Sequence, residues 1–379
     1  MKPSRTARFF TLLALAAMTI SPLGAVSAQA DGPVVPAPAK AIDERSVGIQ
    51  MFMYPWKSIA SECTTVLGPA GFDWVQISPS QEHIGSSAWW SHYQPVSYRL
   101  ESSLGTRAEF IDMVERCNTA GVAIIVDAVI NHMSNGYGTG FAGGDYQKYT
   151  YPGIYSEWDF HYNLPEGNPN ACYQSIEDYG NDWQNVHCEL GGLPDLATET
   201  PYVRQTIANY LNDMIDIGVA GFRVDAAKHF GSEDLEAVVD MLNPVNGQPP
   251  VIMSEVIGNG ATNAPFVAWG SKAWAWDMPN ILERSLAIGN MAFGKDLKWT
   301  SDFSGSANTI TMVSNHDTEH HGPSSLAYWQ GNLYQLAHVY MLAIPFGIPE
   351  VYTGYSFTDE NQGPSIDRMG MILPMQCPK

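Results

Sequence analysis

The segment GVAGFRVDAAKH, Gly218 to His229, sets Arg223, Asp225, Lys228 and His229 directly after an apolar run. Three other apolar runs also finish in a carboxylate: Asp127 in IIVDAVINH, Glu255 in VIMSEV and Asp317 in MVSNHD. A single carboxylate at a strand end is ordinarily a cap or half of an ion pair. Four on separate strands, three of them beside a histidine or an arginine, are hard to explain as structure, because a buried carboxylate is costly unless it is paired. Converging carboxylates, abundant Trp and Tyr, and no phosphate-binding motif suit cleavage of a glycosidic bond. In that chemistry one carboxylic acid protonates the leaving oxygen while another carboxylate attacks or activates water. Sugar rings stack on aromatic faces, and SAWWSHYQP supplies Trp89, Trp90 and Tyr93, with Gln94 beside them, as candidate substrate contacts.

The elements that must position these groups follow from periodicity. In a strand, alternate residues face opposite sides, so Phe222 and Val224 point one way while Arg223 and Asp225 point the other. Eight β-rich runs (VGIQMFMY, FDWVQISP, VAIIVDAVI, VAGFRVDA, VIMSEVI, KAWAWDM, TITMVSN and GIPEVYTGY) alternate mostly with helical patterns. Thr106 and Glu109 form a capping box ahead of Phe110, Met113, Val114 and Cys117 on one helical face. Thr200 and Pro201 open a second helix that Gly218 stops. The pattern predicts an α/β fold, a parallel (β/α)8 or TIM barrel, whose active site lies at the carboxyl ends of the strands. The barrel is expected over 46–131 and 197–379. Residues 132–196, rich in Gly, Tyr, Asn, Asp and Pro and without a clear helix, are expected to be an inserted subdomain after the third strand. Cys172 and Cys188 both fall inside it, where a local disulfide would staple it.

Composition bounds the partners. The chain has 379 residues, 45% of them hydrophobic, enough for a large core. Its formal net charge of -20 repels phosphate backbones and anionic lipid, so nucleic acid and membrane surfaces are not expected partners. Residues 1–30 read as a signal peptide, with Lys2, Arg5 and Arg8, an apolar middle and AQA ending at Ala30, followed by a Pro-rich lead-in over 31–45. A secreted, extracellular, monomeric protein is therefore expected. The five cysteines, Cys63, Cys117, Cys172, Cys188 and Cys377, are an odd number for an exported chain, so one is expected to stay unpaired.

DAVINH, GFRVDAAKH, SEVI and VSNHD, in that order on the third, fourth, fifth and seventh runs, resemble the four signature regions of the α-amylase family, glycoside hydrolase family 13. GGLPDL resembles a fifth motif. The likeness runs from about Val47 to Tyr355 and is strongest to animal-type and actinobacterial members. It implies endo-acting, retaining hydrolysis of α-1,4-glucosidic bonds in starch, glycogen and related α-glucans. Asp225 would be the nucleophile, Glu255 the general acid/base and Asp317 the transition-state stabiliser. Arg223, His132 and His316 would position them, with Lys228 and His229 contacting glucose units beyond the cleavage point. On the residues' own logic, Arg223 lies on the same face as Asp225, and Glu255 is flanked by apolar Val256 and Ile257.

The same resemblance implies a structural calcium ion held by Asn131, Asp195 and the main-chain carbonyl of His229, and disulfides Cys63–Cys117 and Cys172–Cys188 that leave Cys377 free. Chloride is not expected as a cofactor, because Glu350 falls where chloride-activated relatives carry a second basic residue. That carboxylate is expected to pair with Arg223. After the eighth run the resemblance ends, and an eighth helix and a C-terminal β domain are expected to be missing. The alternatives are a non-catalytic carbohydrate-binding relative, another member such as a maltogenic amylase or glucan transferase, and a metal-dependent hydrolase using HDTEHH.

Overall fold

The computed structural model describes residues 36–38, 42–258, 260–289, 304–321 and 326–376. The expected signal peptide, most of the Pro-rich lead-in, and Cys377 lie outside the described residues. Eight parallel strands close into a barrel: β1 (Gly48–Met51), β2 (Trp74–Ile77), β3 (Ala123–Ala128), β6 (Gly221–Val224), β7 (Val251–Ser254), β8 (Lys272–Trp274), β9 (Thr309–Thr311) and β10 (Ile348–Thr353). Each lies within one of the eight β-rich runs. Neighbours around the barrel run β1-β2-β3-β6-β7-β8-β9-β10, and β10 pairs back onto β1. Among the described residues the other two strands, β4 (Tyr137–Thr139) and β5 (Asp145–Gln147), form an antiparallel hairpin outside it.

Register carries the charged residues into place. Asp127 on β3 is directly opposite Arg223 on β6, so the two side chains meet inside the barrel. Phe222 and Val224, facing the other way, are buried in the layer under the helices. A Cβ at Gly221 would stand 2.1 Å from the Val251 carbonyl oxygen, so only glycine lets β6 approach β7 this closely.

The helices form where the sequence signals them. Helix Arg107–Thr119 has the Thr106/Glu109 capping box in full and buries Phe110, Met113, Val114 and Cys117. Each such side chain contributes about 2 kcal/mol by leaving water. Helix Pro201–Ile217 ends at Gly218, whose φ of 115° is the left-handed stop that glycine permits. Thr200 caps it differently from the sequence reading, since its hydroxyl donates to the Ala197 carbonyl and accepts nothing from the helix. Among the described residues beyond β10, 354–376, there is no helix.

The segment after β3 corrects the expectation of a helix-free insert. Besides its hairpin and 3-10 turns it contains a short helix, Asp182–His187, capped by the Asn181 side chain, which accepts from the Gln184 amide. Its motif was too short and too polar to show helical periodicity. Cys172–Cys188 closes this segment and Cys63–Cys117 ties helix Arg107–Thr119 to the chain after β1. Strands β1 and β10 are mostly buried. Exposed apolar surface appears instead on helix Asn332–Ala343, at Leu336, Val339 and Leu342.

Candidate active site

Arg223 organises the barrel mouth. Its Nη1 donates to Asp127 at 2.6 Å and to Asp225 at 2.7 Å, and its Nη2 meets Glu255 at 2.7 Å. One guanidinium edge therefore holds Asp225, just past β6, and Glu255, just past β7, side by side. Asp317 does not end its strand directly, as the sequence suggested. It sits in the first turn of helix His316–His320, six residues beyond β9, with Asn315 as N-cap. Burial pushes the Glu255 carboxyl up to about 8; Arg223 pulls it down, and the Asp225 and Asp317 charges add to the rise. The apolar flanking residues Val256 and Ile257 account only partly for that burial. Val256 is fully buried, but Ile257 is 59% exposed on the cleft wall.

The backbone between the two carboxyl groups is unusual. Ala226 has φ 50° and ψ 34°, a left-handed conformation that costs a non-glycine residue about 1 kcal/mol. The turn aims its amide at Glu255, donating to Oε2 at 2.8 Å. Strain held in place by surrounding structure is common at functional sites.

A hydrogen-bond chain fixes the rest. The Tyr93 hydroxyl donates to Asp127 at 2.8 Å, so it accepts from His316 Nε2 at 2.9 Å, and His316 Nδ1 then accepts from the Gln50 amide at 3.0 Å. Burial lowers His316 to about 4, which keeps the ring neutral, as this chain requires. His132 bonds through Nε2 to the Tyr93 carbonyl at 3.0 Å.

The three carboxyl groups open into a cleft of about 550 Å3 walled by Trp89, Trp90, Tyr93, His132 and His316. Trp89 and Trp90 are pinned by indole hydrogen bonds to Glu360 and Asn361. Leu190, Leu193, Ile257, Thr318 and His321 also line it and were not anticipated; Ile257 was legible as a neighbour of Glu255, the others gave no signal. Three expected contacts are not on this wall. Gln94 accepts from the Asn135 amide, Lys228 donates to the Tyr179 carbonyl, and His229 bonds to the Asn185 carbonyl, so all three tie the barrel to the segment after β3. A separate cavity of about 610 Å3, lined by Tyr54, Tyr352 and Glu319, contains none of the three carboxylates.

Two of the residues expected to hold calcium, Asn131 and Asp195, meet where that segment rejoins the barrel, while His229 bonds to Ala226 and Asn185. The Asn131 amide lies 3.3 Å from Asp195, and the Asn131 side-chain oxygen is buried with no partner. An orphaned amide oxygen beside a buried carboxylate fits a hard cation that takes oxygen ligands. Among the described residues no three His, Cys, Asp or Glu side chains are grouped to hold a metal, so such a seat would use amide and main-chain oxygens around one carboxylate. HDTEHH supplies no such group either. His161, which the sequence did not signal, bridges this carboxylate and Glu199 at 2.7 and 3.0 Å. Burial opposes its charge, yet the two acidic partners outweigh it and raise the ring to about 9.

Glu350 is 3% exposed inside the barrel. Its expected pairing with Arg223 is not made, because the guanidinium is taken by three other carboxyl groups and the Trp274 indole donates to Glu350 at 2.7 Å.

A closed parallel barrel that carries its carboxylates at the mouth beside an aromatic wall has the architecture of the barrel glycosidases. The family model for the α-amylase catalytic domain matches residues 78–281. The chain is 41% identical to an α-amylase of Thermomonospora curvata, over 96% of this chain and 61% of that protein. It is 37% identical to an α-amylase-related protein of Drosophila pseudoobscura pseudoobscura, over 87% of this chain and 68% of that one. Among solved structures, a mutant of α-amylase I from Eisenia fetida, in complex with maltohexaose, superposes with a TM-score of 0.80 at 29% identity, covering 88% of this chain and 73% of that one. The chain belongs to the α-amylase family. It spans about three-fifths of the length of the first bacterial relatives it matches.

Proposed function

We propose that the protein is a retaining, endo-acting hydrolase of α-1,4-glucosidic bonds in starch and related α-glucans. The observation that carries this reading is the Arg223 fork, which holds Asp225 and Glu255 as a close pair at the cleft floor. Asp225 attacks the anomeric carbon while Glu255, protonated, gives its proton to the departing glycosidic oxygen. Glu255 then takes a proton from the water that releases the sugar from Asp225. A nucleophile held by a cation and an acid raised by burial divide the two roles. Asp317 stabilises the charged sugar ring, Tyr93 and the two tryptophans supply stacking surfaces, and His132 and His316, their ring nitrogens engaged within the protein, position the carboxyl groups from the cleft wall. Lys228, His229 and Gln94 hold the segment after β3 against the barrel and so shape the cleft indirectly.

Calcium, held by Asn131, Asp195 and the His229 carbonyl, would pin the segment after β3 to the barrel. It would supply fixed positive charge at that joint and take no part in bond cleavage. Chloride is not required. The protein acts as a secreted monomer; the two disulfides fit an oxidising compartment, and no described helix is long and apolar enough to cross a membrane. Chromatography of the early products from soluble starch tests the reading. A ladder of mixed oligosaccharides is expected. Tight starch binding with no products would instead favour the non-catalytic alternative, and products joined to an added sugar acceptor would favour a glucan transferase.

A further inference from the structure

Beside Arg223 lies a small cavity that shares Glu255 and His316 with the cleft lining and has about 10 Å3 of space for a water centre. That is room for about one water molecule. Its lining carries four buried polar atoms with no protein partner: Glu350 Oε1, Gln50 Oε1, Gln76 Oε1 and the Trp276 indole nitrogen. Three are acceptors and one is a donor. Gln50 cannot turn to help, because its amide nitrogen already serves His316. Leaving four buried polar groups without partners would cost more than one ordinary hydrogen bond contributes. A water that accepts from Trp276 and donates twice satisfies three of them and has the two to four partners a buried water needs.

We propose that one ordered water occupies this cavity and that Glu350 is a positioning residue, acting through it and through Arg223 on the Asp225–Glu255 pair. Every strand of the barrel brings a group to this region, and together they define the charge balance. Gln50 comes from β1, Gln76 from β2 and Asp127 from β3. Arg223 comes from β6, Glu255 from the end of β7 and Trp274 from β8. Asn315 and His316 follow β9, and Glu350 is on β10. Among the described residues Arg223 is the one cation there, shared by Asp127, Asp225 and Glu255 directly and by Glu350 across the cavity.

Burial raises Glu350 to about 8, with the Trp274 bond and Arg223 pulling it down and Asp127 pushing it up. Glu350 and Glu255 therefore gain charge over the same pH range and compete for one guanidinium. As Glu350 becomes anionic, Glu255 holds its proton to higher pH. The inference rests on Glu255 being the acid, but its test needs no substrate. In protein carrying 13C-labelled glutamate carboxyl groups, the Glu255 resonance should titrate at a lower pH in Glu350→Gln than in the wild type, by about half a unit or more. The alkaline limb of kcat should move the same way. Trp274→Phe leaves Glu350 in place but removes its donor, which keeps Glu350 protonated longer and should give a smaller shift in the same direction. It serves if Glu350→Gln does not fold. A crystal structure should show the water within hydrogen-bond reach of Glu350 and Trp276. An unchanged Glu255 titration in a folded variant, or an empty cavity at high resolution, overturns the proposal. A wild type that titrates as stated but cleaves no glucan would instead count against the proposed function.

Discussion

At the scale of residues, the proposed chemistry depends on two carboxyl groups treated differently by one environment. Asp225→Asn and Glu255→Gln should each lower kcat on soluble starch by several orders of magnitude with little change in KM, since members of one catalytic unit fail together. Near-normal rates in either purified variant would end the assignment. Because Glu255, as the proposed acid, must be protonated to act and is raised to about 8, the rate should hold up to neutral pH and fall as pH rises through that region. A pH–rate profile whose alkaline limb falls near an ordinary carboxyl value would contradict this. Glu350 makes a second residue-level prediction. A carboxyl group buried beside Arg223 repels an anion there in the pH range where it is ionised and occupies the space throughout. Titrating sodium chloride into chloride-free enzyme, with sodium nitrate as the ionic-strength control, should give a flat response, and a many-fold rise specific to chloride would refute it. Most of this residue logic was legible. The alternation in FRVD put Arg223 and Asp225 on the face opposite Phe222 and Val224, and the structure turns Arg223 into the barrel while Phe222 and Val224 pack outward; that Arg223 lies opposite Asp127 came only with the register. The competition for Arg223 was not legible, because which carboxyl groups win a shared cation is decided by distances across strands far apart in sequence.

At the scale of elements, strands and long helices declared themselves through periodicity and capping, whereas the segment between β3 and helix Pro201–Ile217 did not. Its order comes from contacts that leave no periodic trace: the Cys172–Cys188 bridge, the Asn181 cap and the His161 bridge between Asp195 and Glu199. The disulfide closes a short loop of sequence separation 16 and contributes about 3 kcal/mol in the chain-entropy account. Replacing both cysteines by serine should lower Tm by several degrees and raise proteolysis within 160–190 before the barrel is cut. An unchanged Tm and cleavage pattern would show that the bridge is dispensable. The proposed calcium at the joint predicts that excess EDTA lowers Tm and that added calcium restores it, because binding to the folded state alone stabilises by mass action. The opposite result, an unmoved Tm with no calcium found by elemental analysis, would remove the ion and leave His161 as the joint's fixed cation.

At the scale of the whole molecule, barrel closure is what turns scattered motifs into a site. Asp127, Asp225, Glu255 and Asp317 are spread over 190 residues of chain, yet the order β3-β6-β7-β8-β9 brings their strands to one rim. The fold class was readable because eight apolar runs, each too short for a helix, are separated mainly by helical patterns. The placement of Gln94, Lys228 and His229 away from the cleft wall was not, because it depends on how the segment after β3 folds back onto the barrel. The central claim is that Asp225 forms a covalent bond to the sugar while Glu255 handles the proton. Its most direct test is to react the protein with a fluorinated α-maltosyl fluoride that forms the glycosyl-enzyme quickly and releases it slowly, then to map the label by peptide mass spectrometry. The account predicts one maltosyl adduct on the peptide containing Asp225, absent in Asp225→Asn. Attachment to Glu255, or turnover of the reagent with no adduct and inversion at the anomeric carbon, would contradict it.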